Sequence, residues 1–136
     1  PCRVAAILSM LSVPTPAPVT TPVLSQAFSV AAPPYAGSWT PQRLDVTVPH
    51  AGTVTVAFNW THATSQIEMV VTKGTCSNNP ISAKDGSCAA WGADRRRVNP
   101  ATVTFEMPAP GSIRVWIFNF STGVKESGVL SVTVTH

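Results

Sequence analysis

Cys76 and Cys88 are the two side chains of this chain best placed to react with one another. They bracket a polar, turn-rich loop, SNNPISAKDGS. Thiols at that spacing form a local disulfide, and the bond needs an oxidising compartment. Closing so short a loop stabilises the fold by about 3 kcal/mol in the chain-entropy model. Zinc is the rival use, but two cysteines without a matching histidine pair make a poor zinc site. Cys2 is left over: free, paired between subunits, or lipid-modified, although no lipobox precedes it.

Binding chemistry rests with arginine and tryptophan. Arg95-Arg96-Arg97 supplies much of the formal net charge of +3. A run this short reads first as a solvated loop and second as a contact for an acidic partner or an anionic glycan. Nucleic acid is not expected, because the chain lacks a broad basic face with interleaved aromatics. Of the four tryptophans, Trp60 is in phase with Val54, Val56 and Phe58, which predicts a core position. Trp39 and Trp91 stand in loop contexts, beside Tyr35 and near Arg95. Trp116 is out of phase with Ile113, Val115 and Ile117, which predicts an exposed face. Exposed aromatics stack on sugar rings or anchor protein interfaces; the plainer alternative is that they cover the ends of the fold.

Catalysis has little to stand on. His50 reads as a turn residue, His62 follows a strand end and His136 is terminal. There is no Gly-x-Ser-x-Gly elbow and no HExxH. The six acids are scattered singly, so no carboxylate pair is evident. No enzyme, metal site or cofactor is expected. Asn59-Trp60-Thr61 and Asn119-Phe120-Ser121 match the glycosylation sequon.

The elements that must position these residues are strands. In Pro49–Trp60, Val54, Val56, Phe58 and Trp60 alternate with Thr53, Thr55, Ala57 and Asn59. That period of two predicts a half-buried antiparallel strand. His50-Ala51-Gly52 and Pro110-Gly111-Ser112 read as the turns that launch two such strands. Strands are predicted over 24–31, 44–48, 53–61, 66–72, 102–107, 112–120 and 129–135. Seven short strands separated by turn residues predict an all-β fold, a two-sheet antiparallel β-sandwich of jelly-roll type. The 136 residues make one domain, from 23 to 136, plus an arm and linker over 1–22. Charged residues are only 11% and apolar ones 44%, which suits a rigid extracellular domain and not a disordered chain.

The arm is apolar at Val4, Ile7, Leu8, Met10, Leu11 and Val13. It is too short to span a bilayer as a helix, and either a short helix or a strand fits its pattern. The Pro-rich stretch after it, 13–22, reads as an extended linker of polyproline II form.

The runs Leu44–Val56, Ile67–Val71, Pro110–Asn119 and Ser127–Val134, with Trp60, resemble bacterial pre-peptidase C-terminal domains. The resemblance covers about Ala27 to His136. It implies a secreted jelly-roll-like sandwich of the kind appended to exported hydrolases. Members often carry several acids after the tryptophan strand. Here Gln66-Ile67-Glu68-Met69 has one, so the resemblance brings no calcium site with it.

Two functions are therefore expected. The first is a non-catalytic extracellular or cell-surface structural subunit. It would assemble, as a homo-oligomer or filament, by docking its arm on a neighbouring copy. The alternative is a secreted accessory module that binds carbohydrate or protein through Trp39, Trp91, Trp116 and Arg95–Arg97.

Overall fold

A computed structural model describes residues 14–77 and 88–136. Its strands are β1 (Thr20–Val30), β2 (Thr40–Val48), β3 (Gly52–Trp60), β4 (Ile67–Lys73), β5 (Ala90–Asp94), β6 (Ala101–Met107), β7 (Gly111–Asn119) and β8 (Glu126–Thr135). They form two four-stranded sheets, ordered β1-β8-β3-β6 and β2-β7-β4-β5. Every pairing is antiparallel. The chain is thus an antiparallel β-sandwich, as its alternation predicts.

The alternation is what builds the core. Along β6, Ala101, Val103, Phe105 and Met107 are buried while Thr102, Thr104 and Glu106 face water. Val54, Val56, Phe58 and Trp60 of β3 join Leu130, Val132 and Val134 of β8 in the same cluster. Ile67, Met69 and Val71 of β4 meet them from the other sheet, with Ile113, Val115 and Ile117 of β7. Burying a side chain of this size is worth about 1.5–3 kcal/mol. Gly128 is required in β8 because a Cβ there would run into the Asn59 carbonyl of β3. Gly52 opens β3 at φ 143°, a conformation that L side chains rarely adopt.

Three features depart from the expected layout. β5 follows the cysteine loop directly and had no counterpart among the predicted strands. β4 is buried on both faces through Thr72. β1 begins at Thr20, so the last residues of the Pro-rich stretch lie within the sheet. Pro22 is tolerated there because β1 is an edge strand, with a register shift between Pro22 and Leu24. The arm residues Val4, Ile7, Leu8, Met10, Leu11 and Val13 lie outside the described residues.

Trp116 corrects an expectation. It is not exposed: only 4% of it is accessible, and it belongs to a second buried cluster with Val70, Cys76, Cys88 and Phe118. The reason is the Cys76–Cys88 disulfide. It lies over the outer face of the second sheet and turns a solvent face into a small core. The indole Nε1 donates to Thr72 Oγ1 at 3.0 Å, so the polar atom is satisfied as it is buried.

Candidate binding surface

The register gives the sandwich two ends. One carries Thr20, Val48, Gly52, Lys73, Met107, Gly111 and Thr135. The other carries Val30, Thr40, Trp60, Ile67, Asp94, Ala101, Asn119 and Glu126, and the loops 31–39, 61–66, 95–100 and 120–125 project from it.

Those four loops are pinned by buried polar side chains. Glu126 is fully buried and accepts from the backbone N–H groups of Thr61, His62 and Ser127. Burial raises its pKa, but hydrogen bonds from Ser65, Ser127, His62 and Thr61 together outweigh burial and hold the carboxyl below its ordinary value. Asn119, also buried, donates to the carbonyls of Ala31 and Val124 and accepts from Ser121 N–H. Its side chain is committed, so this sequon offers no acceptor in the folded chain. Asn99 pairs both ways with the Trp60 backbone. Asp94 accepts from Arg96 and from Thr102 N–H. The Arg96 bond, with help from Thr102, holds its pKa down at about 2 against the burial that raises it.

On this frame the structure brings together Trp39, Phe120 and Arg97. The Trp39 and Phe120 rings lie 6.1 Å apart, inclined at 33°. The Arg97 guanidinium carbon lies 4.2 Å from the Phe120 centroid, close enough for a cation–π contact. Arg97 Nε donates to Glu68 at 2.7 Å and its terminal NH1 group donates to Gln66 at 3.0 Å. Arg97 sits at φ 59°, a left-handed conformation that costs a non-glycine residue energy and persists only where its surroundings enforce it. The enforcing contacts are these same three: Glu68, Gln66 and Phe120.

The end is also apolar. Tyr35 is 70% exposed, Trp39 37%, Val98 56% and Val129 49%; among the exposed large apolar residues described, only Val19 lies at the opposite end. Four of these five exposed residues therefore lie toward the loop end.

The remaining residues singled out from the sequence disperse. Trp91 lies in β5 and stacks on Phe105 at 5.5 Å. With Lys73, Met107, Pro108 and Pro110 it lines an open cleft of about 510 Å³ at the opposite end. The arginine run divides three ways: Arg95 is exposed, Arg96 pairs with Asp94 and Arg97 with Glu68. Arg43, whose guanidinium lies 5.8 Å from the Trp116 ring, adds a second arginine–aromatic contact on the outer face. Sequence reading missed Phe120, Gln66, Glu68 and Arg43. Phe120 is the last residue of a predicted strand, and that position is its available signal.

Among the described residues no group of three His, Cys, Asp or Glu could hold a metal, and no helix is long and apolar enough to cross a membrane. The disulfide fits an oxidising compartment. What the arrangement offers is contact: a half-exposed indole, and hydrogen-bonding groups fixed beside it.

No family model and no curated protein matches the chain. It is similar to the solved structure of Aeromonas hydrophila PliG, a periplasmic lysozyme inhibitor of g-type lysozyme, with 13% identity over 88% of this chain and 86% of that one and a TM-score of 0.47.

Proposed function

We propose that this protein is a secreted, non-catalytic module of the extracellular space or cell surface that holds a partner at the loop end of the sandwich. The observation that carries the reading is the Trp39–Phe120–Arg97 ridge, in which Trp39 is 37% exposed and Arg97 is held by Glu68 and Gln66. Rigid aromatic anchors beside fixed polar groups bind without a large ordering cost. The runs that resemble pre-peptidase C-terminal domains support an accessory role beside an exported enzyme.

The histidines support a non-catalytic reading. His50 stacks on His136 at 4.0 Å, and His62 places Nδ1 against buried Glu126. The pure protein should give background rates on peptidase, esterase and glycosidase substrates. Activity lost in His50→Ala or His62→Ala would overturn this part. For the binding part, labelled protein should be retained on bacterial envelope preparations, and Trp39→Ala should be washed off. Equal retention of both sinks the reading.

The second reading keeps self-assembly, and one observation favours it. Residues 14–19 lead to Thr20, which opens at the end of the sandwich that carries the Trp91 cleft. Three strand spacings, about 14 Å, separate β1 from β6. A linker of that length in polyproline II form spans on the order of 19 Å. The linker is thus long enough to bring an apolar arm to this cleft, and arms exchanged between neighbouring copies would build a homo-oligomer or filament.

A further inference from the structure

The binding reading leaves open what the loop end holds. Resting on that reading, we infer that the ridge is a sugar site, taking one pyranose of a neutral hexose-based glycan, with Trp39 as the stacking platform and Arg97 and Gln66 as its hydrogen-bond donors.

Three observations lead there. First, the platform has the right form. Trp39 is more than a third exposed, and Phe120 backs one side of its ring at 6.1 Å. An aromatic face held this way offers a flat apolar surface to the C–H face of a sugar ring. Phe120 itself is covered by Arg97, so Trp39 is the ring left open to a ligand.

Second, the polar groups beside it point donors outward. Gln66 is exposed, and its amide oxygen already accepts from Arg97. Its NH₂ group is then the free end, a double donor. Arg97 spends Nε–H on Glu68 and one N–H on Gln66. The rest of its five donors have no protein partner among the described residues. Paired donors of this kind match neighbouring hydroxyl oxygens of a sugar ring, each of which accepts through its lone pairs.

Third, the charge is already balanced. Arg97 and Glu68 form an ion pair at 2.7 Å, with the Glu68 side chain 8% exposed. A site for an anionic glycan would leave its arginine unpaired and aimed at the ligand. Here the carboxylate that neutralises Arg97 is part of the protein. The ligand is therefore a neutral, hydroxyl-rich ring, and its binding should depend little on salt.

The left-handed backbone at Arg97 belongs to the same design. The strain holds a long flexible side chain in one place, so donors and platform are set before a ligand arrives.

The test uses the full chain. Cello-, malto-, laminari- and chito-oligosaccharides are titrated against it at low and high salt, followed by calorimetry and by amide NMR shifts of residues 35–39, 66–68, 97 and 120. At least one series should bind, with the shifts confined to those residues and affinity unchanged by salt. Trp39→Ala should lose at least about tenfold in affinity, Trp39→Phe should recover part of it, and Val19→Ser, at the opposite end of the sandwich, should bind as the parent does. Melting curves confirm that each variant is folded. In parallel, envelope preparations are treated either with periodate, which destroys sugar diols, or with protease. Loss of Trp39-dependent retention after periodate alone supports the inference. Loss after protease alone overturns it, with a protein partner at the same surface, and leaves the binding reading standing. Binding that weakens steeply with salt also overturns it. If no Trp39-dependent retention occurs on untreated envelopes, the binding reading itself falls.

Discussion

The buried carboxylate of Glu126 lies 3.1 Å from Nδ1 of His62, although the two are far apart in the chain. His62 is 59% exposed and Glu126 not at all, so solvent weakens this side-chain contact. The backbone N–H bonds matter more, because they hold the 61–66 loop to the start of β8. Glu126→Gln should lower stability by about 2 kcal/mol, since charge-assisted bonds become neutral ones and one acceptor oxygen is lost. Chemical denaturation of both proteins near neutral pH measures it. A difference within about 0.5 kcal/mol would remove Glu126 from this role.

Asp94 makes the fold acid-sensitive. Its folded pKa is depressed to about 2 from 3.8, first by the Arg96 bond. A carboxyl depressed on folding stabilises the native state above its unfolded pKa. That stability is lost as pH falls through the folded pKa. The loss attributable to Asp94 therefore falls between about pH 4 and pH 2. Arg96 is 64% exposed, so the contribution is discounted for solvent to about 1–2 kcal/mol. Asp94→Asn should melt lower at pH 6 and show a flatter stability profile from pH 4 downward. A profile as steep as the parent's would show that Asp94 does not set it.

The disulfide should show itself through Trp116. Mass spectrometry of a non-reduced digest is expected to find Cys76 linked to Cys88. Cys76→Ser/Cys88→Ser should lose about 3 kcal/mol and shift tryptophan emission to longer wavelength as the outer-face cluster opens. Two alkylatable thiols in the untreated protein would end the idea.

Trp39 and Trp116 should respond oppositely to truncation. Trp116→Ala removes a buried ring and should cost about 3–5 kcal/mol. Trp39→Ala should cost less, about 1–2 kcal/mol, because over a third of that residue is already in water. Thermal melts of the two variants decide it; equal losses would show that Trp39 is a core residue.

Most of the sandwich could be read from alternation, and the exceptions have physical causes. β3, β6 and β8 each set one row of apolar side chains against a row of mostly small polar ones, while β7 also buries Trp116 and Phe118 on its outer row. β5, Ala90–Asp94, shows no such rows, because it is a short edge strand that pairs with β4 alone. Trp116 was misread because a period of two assumes that the outer face is wet, and the disulfide makes it dry. Trp39 and Arg97 were picked out as residue types with binding chemistry. Their meeting over Phe120 depends on the β2–β7 register and on one left-handed residue, and neither is written in local pattern. The Trp91 loop expectation failed for the same reason as β5.

The proposed arm has a direct test. Deleting residues 1–13 leaves β1 whole, since that strand starts at Thr20. If the arm builds assemblies, light scattering should show the shortened chain as a folded monomer and the full chain as larger species. Unchanged assembly, or a full chain that is already monomeric, removes the self-assembly reading.

The paired ends of the domain carry a mechanical consequence. Val19 and His136 exchange two backbone hydrogen bonds, and β1 and β8 run antiparallel from that point. A load applied through Val19 and His136 would therefore act across the strands and not along them. It would open the β1–β8 ladder like a zipper, one rung at a time, beginning at the Val19–His136 pair. Shear geometry breaks many rungs together and resists strongly; peeling breaks them singly and resists little. Held by both ends, this domain would be the soft link in any chain under tension. Held by one end, with the loop end facing outward, it would bear no load across that seam.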